Sequence, residues 1–96
     1  MLSFVAEGLI ELKRIKLIIM KVEVLFFGIL AEKAETDKIS LDGVSDINDL
    51  KEALFKKYSL LKDYSFQISV NRDLTHANIV LEDGDEVALL PPFAGG

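Results

Sequence analysis

Residues 21–28 read KVEVLFFG, and this stretch decides the fold. Its β-branched and aromatic side chains are typical of a β-strand, which we expect over residues 22–27, and Gly28 breaks the run. Side chains alternate between the two faces of a strand. The alternation predicts an inward set, Val22, Val24 and Phe26, and an outward pair, Leu25 and Phe27.

A helix is predicted further along the chain. Residues 29–35 are expected to form a short helical turn, and residues 37–41 a second strand that the turn at residues 42–43 ends. Ser45 is predicted as the N-cap of the next helix, because its side chain can accept a hydrogen bond from a free backbone N–H. Asp46 would lie in the first turn, where the helix dipole favours an acid. Apolar residues three and four apart then mark one helix face: Ile47, Leu50, Leu54 and Tyr58.

Further strands complete the pattern. We expect one at residues 66–70 and the last at residues 86–90, after a turn at residues 83–85, with Val87 and Leu89 pointing inward. The order is strand, strand, helix, strand, short strand, strand. A helix after a hairpin must cross over to another strand, and right-handed crossovers dominate. One helix across one face of a mixed sheet is the economical solution, so we predict an α+β fold of the ubiquitin-like β-grasp type.

The outward side chains of the first and last strands are expected to form one apolar patch. The two strands are neighbours in a β-grasp fold, so the patch would join Leu25 and Phe27 to Ala88 and Leu90. Such a patch on a small domain usually marks an interface with a partner, and here it leads to the tail of the chain. Two alternatives stay open: residues 1–19 cover the patch, or the alternation is shifted by one residue and these side chains belong to the core.

Residues 1–19 differ from the rest of the chain. They carry three basic and two acidic residues, so the total charge of −5 leaves −6 on residues 20–96. The five charges argue against a membrane span, and the segment has neither the basic start nor the cleavage site of a signal peptide. We interpret residues 1–19 as an N-terminal extension that an upstream start codon or cloning has added; a native helix or a longer first strand is the alternative. The domain itself is predicted over residues 20–96.

The composition argues against several classes of function. The 96 residues include no cysteine, which excludes thiolate metal sites and cysteine nucleophiles, and we expect a cytoplasmic protein. His76 is the one histidine and lies in a polar stretch that is typical of a solvated loop. Since no acid–base pair, nucleophile pair or metal-ligand spacing is identified, we expect no bound metal or cofactor and no independent enzyme. The negative charge argues against a nucleic-acid partner.

The tail at residues 91–96, PPFAGG, carries the predicted chemistry. Two prolines lack the N–H that strand pairing needs, so they end the last strand and stiffen the chain that leaves it. The two glycines have no side chains and can enter a narrow groove. The α-carboxylate of Gly96, ionised at neutral pH, can attack the α-phosphate of ATP when a partner enzyme holds both. A sulfur nucleophile can then open the acyl-adenylate to a thiocarboxylate. We expect the tail to be ordered only in a complex, with Phe93 as an anchor. The expected recognition residues are Pro91, Pro92, Phe93, Ala94 and Gly95.

Residues 81–96, LEDGDEVALLPPFAGG, resemble the end of the small subunit of molybdopterin synthase, the MoaD family, and residues 21–28 resemble its first strand. The resemblance covers residues 20–96. It implies that a ubiquitin-activating-like adenylyltransferase uses ATP to adenylate Gly96, and that a sulfurtransferase system converts the adenylate to a thiocarboxylate. The large synthase subunit would then take up the tail, and the sulfur would pass to cyclic pyranopterin monophosphate. The chain is expected to carry sulfur without being catalytic alone.

Three other functions stay open at the level of the sequence. A sulfur carrier of the thiamine pathway shares the fold and the Gly-Gly end, although the two prolines before the end favour the molybdopterin function. A protein modifier would join Gly96 to a lysine amine through the same adenylate. A β-grasp binding module, in which the Gly-Gly end is incidental, is the remaining alternative.

Overall fold

The computed structural model describes residues 20–92. Five strands form one mixed sheet in the order β2-β1-β5-β3-β4. Their bounds are Lys21–Phe26 for β1, Lys38–Asp42 for β2, Gln67–Val70 for β3, Asp73–Thr75 for β4 and Glu86–Leu90 for β5. Within these residues the helices are α1, Ile29–Ala34, α2, Ile47–Lys57, and a 3₁₀ helix at Ser59–Asp63. The predicted α+β fold of the β-grasp type is confirmed, and no helix of this described part is long and apolar enough to cross a membrane.

The core lies between α2 and the two central strands. β1 pairs with β5 in parallel and with β2 in antiparallel orientation, so both of its edges are occupied. The inward alternation predicted for these strands is confirmed, because the side chains of one face are buried: Val22, Val24, Phe26, Val87 and Leu89. From α2 the buried side chains are Ile47, Leu50 and Leu54. Each such side chain stabilises the fold by about 1.5–3 kcal/mol relative to exposure.

The start of α2 differs from the prediction by one residue. Asp46, not Ser45, is the N-cap: its carboxylate accepts a hydrogen bond from the N–H of Asp49 at 2.9 Å. Ser45 instead donates its hydroxyl and its N–H to the carboxylate of Asp49. These bonds, the hydroxyl bond above all, hold the pKa of Asp49 below its ordinary value. The prediction of Ser45 was wrong because serine and aspartate are both good caps and stand side by side in the sequence.

The turn before β5 is bonded directly to the beginning of β1. The N–H of Lys21 donates to Oδ1 of Asp83 at 2.8 Å, and the N–H of Gly84 donates to the carbonyl of Lys21 at 2.8 Å. The N–H of Glu23 donates to the carbonyl of Asp85 at 2.9 Å. These bonds set the parallel register of β1 and β5, and they therefore fix where β5 ends and the tail begins.

Candidate partner interface

One face of the sheet carries α2, and the other face forms an open groove of about 680 Å³. The four side chains predicted as an outward patch all line this groove: Leu25, Phe27, Ala88 and Leu90. Pro91 and Pro92 line its end. The structure thus places the predicted interface residues together, next to the point where the tail leaves β5.

A line of side chains crosses four strands at the middle of the groove. Leu25 of β1 stands opposite Ala88 of β5, Ala88 stands opposite Ser69 of β3, and Ser69 stands opposite Leu74 of β4. Neighbouring side chains on one face of a sheet contact each other. The groove is therefore wider than the patch on β1 and β5 alone and reaches to the edge of the sheet.

Ala88 requires a correction to the predicted patch. It points outward as expected, but only 8% of it is exposed. Its methyl group is short and lies between Leu25 and Ser69 on the adjacent strands, so these neighbours cover it. Phe27, by contrast, is 45% exposed. The accessible apolar surface is thus supplied by the larger side chains around Ala88.

Leu74 is the groove residue that the sequence analysis missed. It is 57% exposed, and it reaches the groove because β3 and β4 form a tight hairpin. The two residues of the turn, Asn71 and Arg72, both have positive φ values, 51° and 75°, which is the conformation of a type I′ turn. The available signal was Asn71, a residue that accepts positive φ, between two short β-like segments. Arg72 also lines the groove and brings a positive charge to it.

The end of the groove away from the tail is polar and carries charges of both signs, Glu86 and Arg72. Glu23 of β1 and Glu86 of β5 stand opposite each other on the same face as Leu25 and Ala88. Lys38 forms an ion pair with Glu23 at 3.3 Å, which offsets part of the repulsion between the two carboxylates. The groove therefore changes from polar at this end to apolar at the end where the tail begins.

The tail emerges from β5 beside the turn that follows β1. Leu90 pairs with Gln67 as the last pair of β5, and Pro91, half-buried, packs against Gly28. Pro92 is exposed. The other predicted tail residues, Phe93, Ala94, Gly95 and Gly96, lie outside the described residues, as does the predicted extension at residues 1–19.

His76, the one histidine of the chain, is a poor candidate for a catalytic or ligand-binding residue. His76 is exposed and lies just after β4. Within residues 20–92 no group of three or more His, Cys, Asp and Glu side chains is placed to hold a metal ion. The groove and the tail exit are therefore the candidate site.

Comparison with known proteins shows the family of the chain. The model of the ThiS family matches residues 24–96, which include the second half of β1, all of β5 and the tail. The chain belongs to the ThiS/MoaD family. The family predicted from the sequence is thus confirmed.

Individual relatives of this ThiS/MoaD chain include a curated protein and two solved structures. The molybdopterin synthase sulfur carrier subunit of Mycobacterium tuberculosis is 35% identical over 82 residues, which cover 80% of this chain and 99% of that protein. A complex of subunits 1 and 2 of the molybdopterin-converting factor from Helicobacter pylori contains a chain that is 34% identical, with a TM-score of 0.64; the match covers 80% of this chain and all of that one. Small archaeal modifier protein 1 of Methanosarcina acetivorans is 28% identical, with a TM-score of 0.70 and coverage of 80% and 97%.

Proposed function

We propose that this chain is the sulfur carrier subunit of a molybdopterin synthase, and that Gly96 carries the sulfur. The carrier function predicted from the sequence is supported by the Mycobacterium tuberculosis relative, which has this function and matches along 99% of its length. The structural observation that carries the proposal is the continuity of the apolar groove with the tail exit at Pro91. A carrier needs this arrangement, because a partner that covers the groove receives the tail at the same time.

The proposed chemistry takes place at the carboxyl carbon of Gly96. A carboxylate oxygen attacks the α-phosphorus of ATP, pyrophosphate leaves, and an acyl-adenylate forms. The outer sulfur of a persulfide in the sulfur donor system attacks the acyl carbon, and AMP leaves. A thiol then reduces the resulting acyl disulfide, which gives the thiocarboxylate and leaves the donor and the thiol joined by a disulfide. This chain supplies the acyl group and no catalytic side chain, so it is a subunit of a sulfurtransferase and not an enzyme alone. ATP and the activating residues belong to an adenylyltransferase partner.

The proposed docking surface for the large synthase subunit is the groove. The related chain from Helicobacter pylori was solved as a complex of subunits 1 and 2 of its molybdopterin-converting factor. We extend such a pairing to this chain and assign the contacts to Leu25, Phe27 and Leu90, with Leu74 as an addition from the structure and Ala88 as a buried support. Exposed Phe27 and Leu74 offer the side chains that a partner can bury.

The tail residues complete the proposed interface. Phe93 is the one large apolar side chain after the two prolines, and we assign it to a pocket of the partner as an anchor. Ala94 and Gly95 then need little space, which suits a narrow path to the reaction centre. A cytoplasmic location, as predicted from the sequence, is part of the same proposal.

Intact-mass measurement tests the chemistry at Gly96. We expect the wild-type chain, incubated with an adenylyltransferase, ATP and a sulfur donor, to gain the mass that replaces one oxygen by sulfur. Deletion of Gly96, or addition of one residue after it, should abolish this gain, because the reactive carbon must be terminal. Both variants should keep the wild-type melting temperature, since the change lies beyond β5. Sulfur transfer by an extended chain that has not been processed would contradict the proposal.

A protein modifier is the second candidate, because small archaeal modifier protein 1 of Methanosarcina acetivorans shares 28% of its residues with this chain. In that case the adenylate would be opened by a lysine amine and not by sulfur. The same incubation, with the large subunit and cyclic pyranopterin monophosphate added, distinguishes the two functions. Isopeptide-linked products without a thiocarboxylate would favour the modifier, and a thiocarboxylate that converts the pterin precursor would favour the carrier.

A further inference from the structure

Gly28 occupies a turn whose backbone favours glycine. It lies between β1 and α1 with φ 58° and ψ −132°, and the N–H of Leu30 donates to the carbonyl of Phe27 at 3.1 Å. These angles and this hydrogen bond are those of a type II′ turn with Gly28 at its first central position. The turn directs the chain from the central strand into α1.

The space beside Gly28 is occupied by the first residue of the tail. A Cβ atom built on Gly28 would lie 3.0 Å from Cγ and 3.9 Å from Cδ of Pro91. Gly43 and Gly84 also have positive φ values, 73° and 87°, but a Cβ atom on either would meet nothing within 4 Å. Among the glycines that the structure describes, Gly28 alone combines a positive φ with a close contact.

We propose that Gly28 is a positioning residue for the tail: the missing side chain lets the ring of Pro91 pack against the β1–α1 turn, and this contact sets the direction in which the chain leaves β5. The inference rests on the proposed carrier function. A backbone hydrogen bond next to this contact also holds β5 against the end of β1: the N–H of Phe27 donates to the carbonyl of Leu89 at 3.2 Å. Pro91 has a fixed φ, so the orientation of its ring is passed on to the residues that follow.

The contact matters because group transfer depends on the position of the reacting atoms. Reacting atoms must approach to about 3–3.5 Å, and a misplacement of about 1 Å can cost roughly 100-fold in rate. A methyl group on Gly28 would force the ring of Pro91 to move by a few tenths of an ångström. Such a change at the base of the tail alters its direction, and we expect it to slow sulfur transfer about tenfold.

The test compares Gly28→Ala with Gly43→Ala. Both variants place alanine at a positive φ, but Gly28→Ala alone adds the contact with Pro91. Each variant is converted to its thiocarboxylate and bound to an excess of the large subunit, and sulfur transfer is measured in a single turnover. We expect Gly28→Ala to react about tenfold more slowly than Gly43→Ala at saturation, with similar affinity for the large subunit.

A double-mutant cycle assigns the effect to the ring of Pro91. Pro91→Ala removes Cγ and Cδ, so in the Gly28→Ala background it should restore part of the rate, whereas in the wild-type background it should not raise the rate. Equal rates for Gly28→Ala and Gly43→Ala, or the same effect of Pro91→Ala in both backgrounds, would overturn the positioning role. If Gly28→Ala does not fold, Pro91→Ala alone should still change the direction in which residues 91 and 92 leave β5 in the free protein.

Residual dipolar couplings of the Cα–Hα bonds of residues 91 and 92, in the free protein, measure the direction in which the chain leaves β5 without any sulfur chemistry. We expect them to change in Gly28→Ala and in Pro91→Ala and to stay unchanged in Gly43→Ala; unchanged couplings in the first two would overturn the inference. A wild-type chain that accepts no sulfur would instead contradict the proposed function, and the couplings would still decide the role of Gly28.

Discussion

Phe26 and Phe27 are consecutive residues with opposite environments. Phe26 is 2% exposed and packs edge-on against Tyr58, with ring centroids 5.6 Å apart, whereas Phe27 is 45% exposed and lines the groove. β1 ends at Phe26, but the N–H of Phe27 still donates to the carbonyl of Leu89, so the chain stays extended for one more residue and the two side chains point to opposite faces. The pair therefore provides a matched test of which face is the interface.

Phe27→Asp should weaken binding to the large subunit at least tenfold, because the charge would have to be buried in the complex. The free energy of unfolding should change by no more than about 0.5 kcal/mol, as is usual for exposed positions. Binding is measured by calorimetry and stability by urea unfolding. Val80→Asp is the control: Val80 is 76% exposed and lies outside the groove, so its charge should leave binding unchanged.

Phe26→Asp, in contrast to Phe27→Asp, should destabilise the fold if Phe26 lies on the core face of the sheet and Phe27 on the groove face. A charge at this buried position should cost several kcal/mol and unfold the isolated domain. A Phe27→Asp variant that unfolds as readily as Phe26→Asp would show that Phe27 belongs to the core and not to the interface.

Alternation within one strand could be predicted from the sequence, but contacts between strands could not. Leu25 and Phe27 were placed correctly because the period of two is a local property. The burial of Ala88 depends on the size of Leu25 and Ser69 opposite it, and the position of Leu74 depends on the register of the β3–β4 hairpin. Cross-strand register is set by the whole sheet, so a single segment does not reveal it.

At the scale of elements, the start of α2 is held by more partners than its own cap. The N–H of Asn48 donates to Oδ1 of Asn78 at 2.9 Å, and the N–H of Ile47 donates to the carbonyl of Ile79 at 3.2 Å. The loop before β5 thus satisfies N–H groups that have no partner within a helix. The sequence predicted the helix and its buried face, because both follow from spacing, but it gave no sign of this distant loop.

Ser45→Ala should reduce stability in a pH-dependent way. In the folded protein the hydrogen bonds from Ser45 lower the pKa of Asp49 below 3.8, its value in an unfolded chain. A lowered pKa stabilises the folded state above the unfolded pKa, and this contribution is lost as the pH falls through the folded pKa. The variant should therefore be less stable than wild type at pH 7, and the difference should shrink below about pH 3.8.

Urea unfolding at several pH values measures this difference. Ser65→Ala is the matched control, because Ser65 is exposed in the loop before β3 and its loss should have little effect at any pH. A difference between Ser45→Ala and wild type that stays constant from neutral to acidic pH would show that the hydroxyl acts through packing and not through Asp49.

For the whole molecule, the order of strands in the sheet predicts which backbone amides are the last to exchange with solvent. β1, β5 and β3 are each paired on both edges, whereas β2 and β4 each have one partner in the described sheet. We expect the amides of β1 and β5 to exchange with solvent only through global unfolding, and those of β2 and β4 to exchange faster through local opening. Native-state hydrogen exchange measures this, and equal protection in β4 and β5 would contradict a centre formed by the first and last strands.

Placing β5 between β1 and β3 has a consequence for synthesis on the ribosome. The chain emerges in sequence order, so the middle position of the sheet stays vacant until residues 86–90 have left the exit tunnel. Translation that stops earlier leaves β1 and β3 with open edges, which chaperones and proteases can recognise. We therefore expect chains that end before residue 86 to be degraded faster than the full chain, because the middle position of their sheet stays vacant.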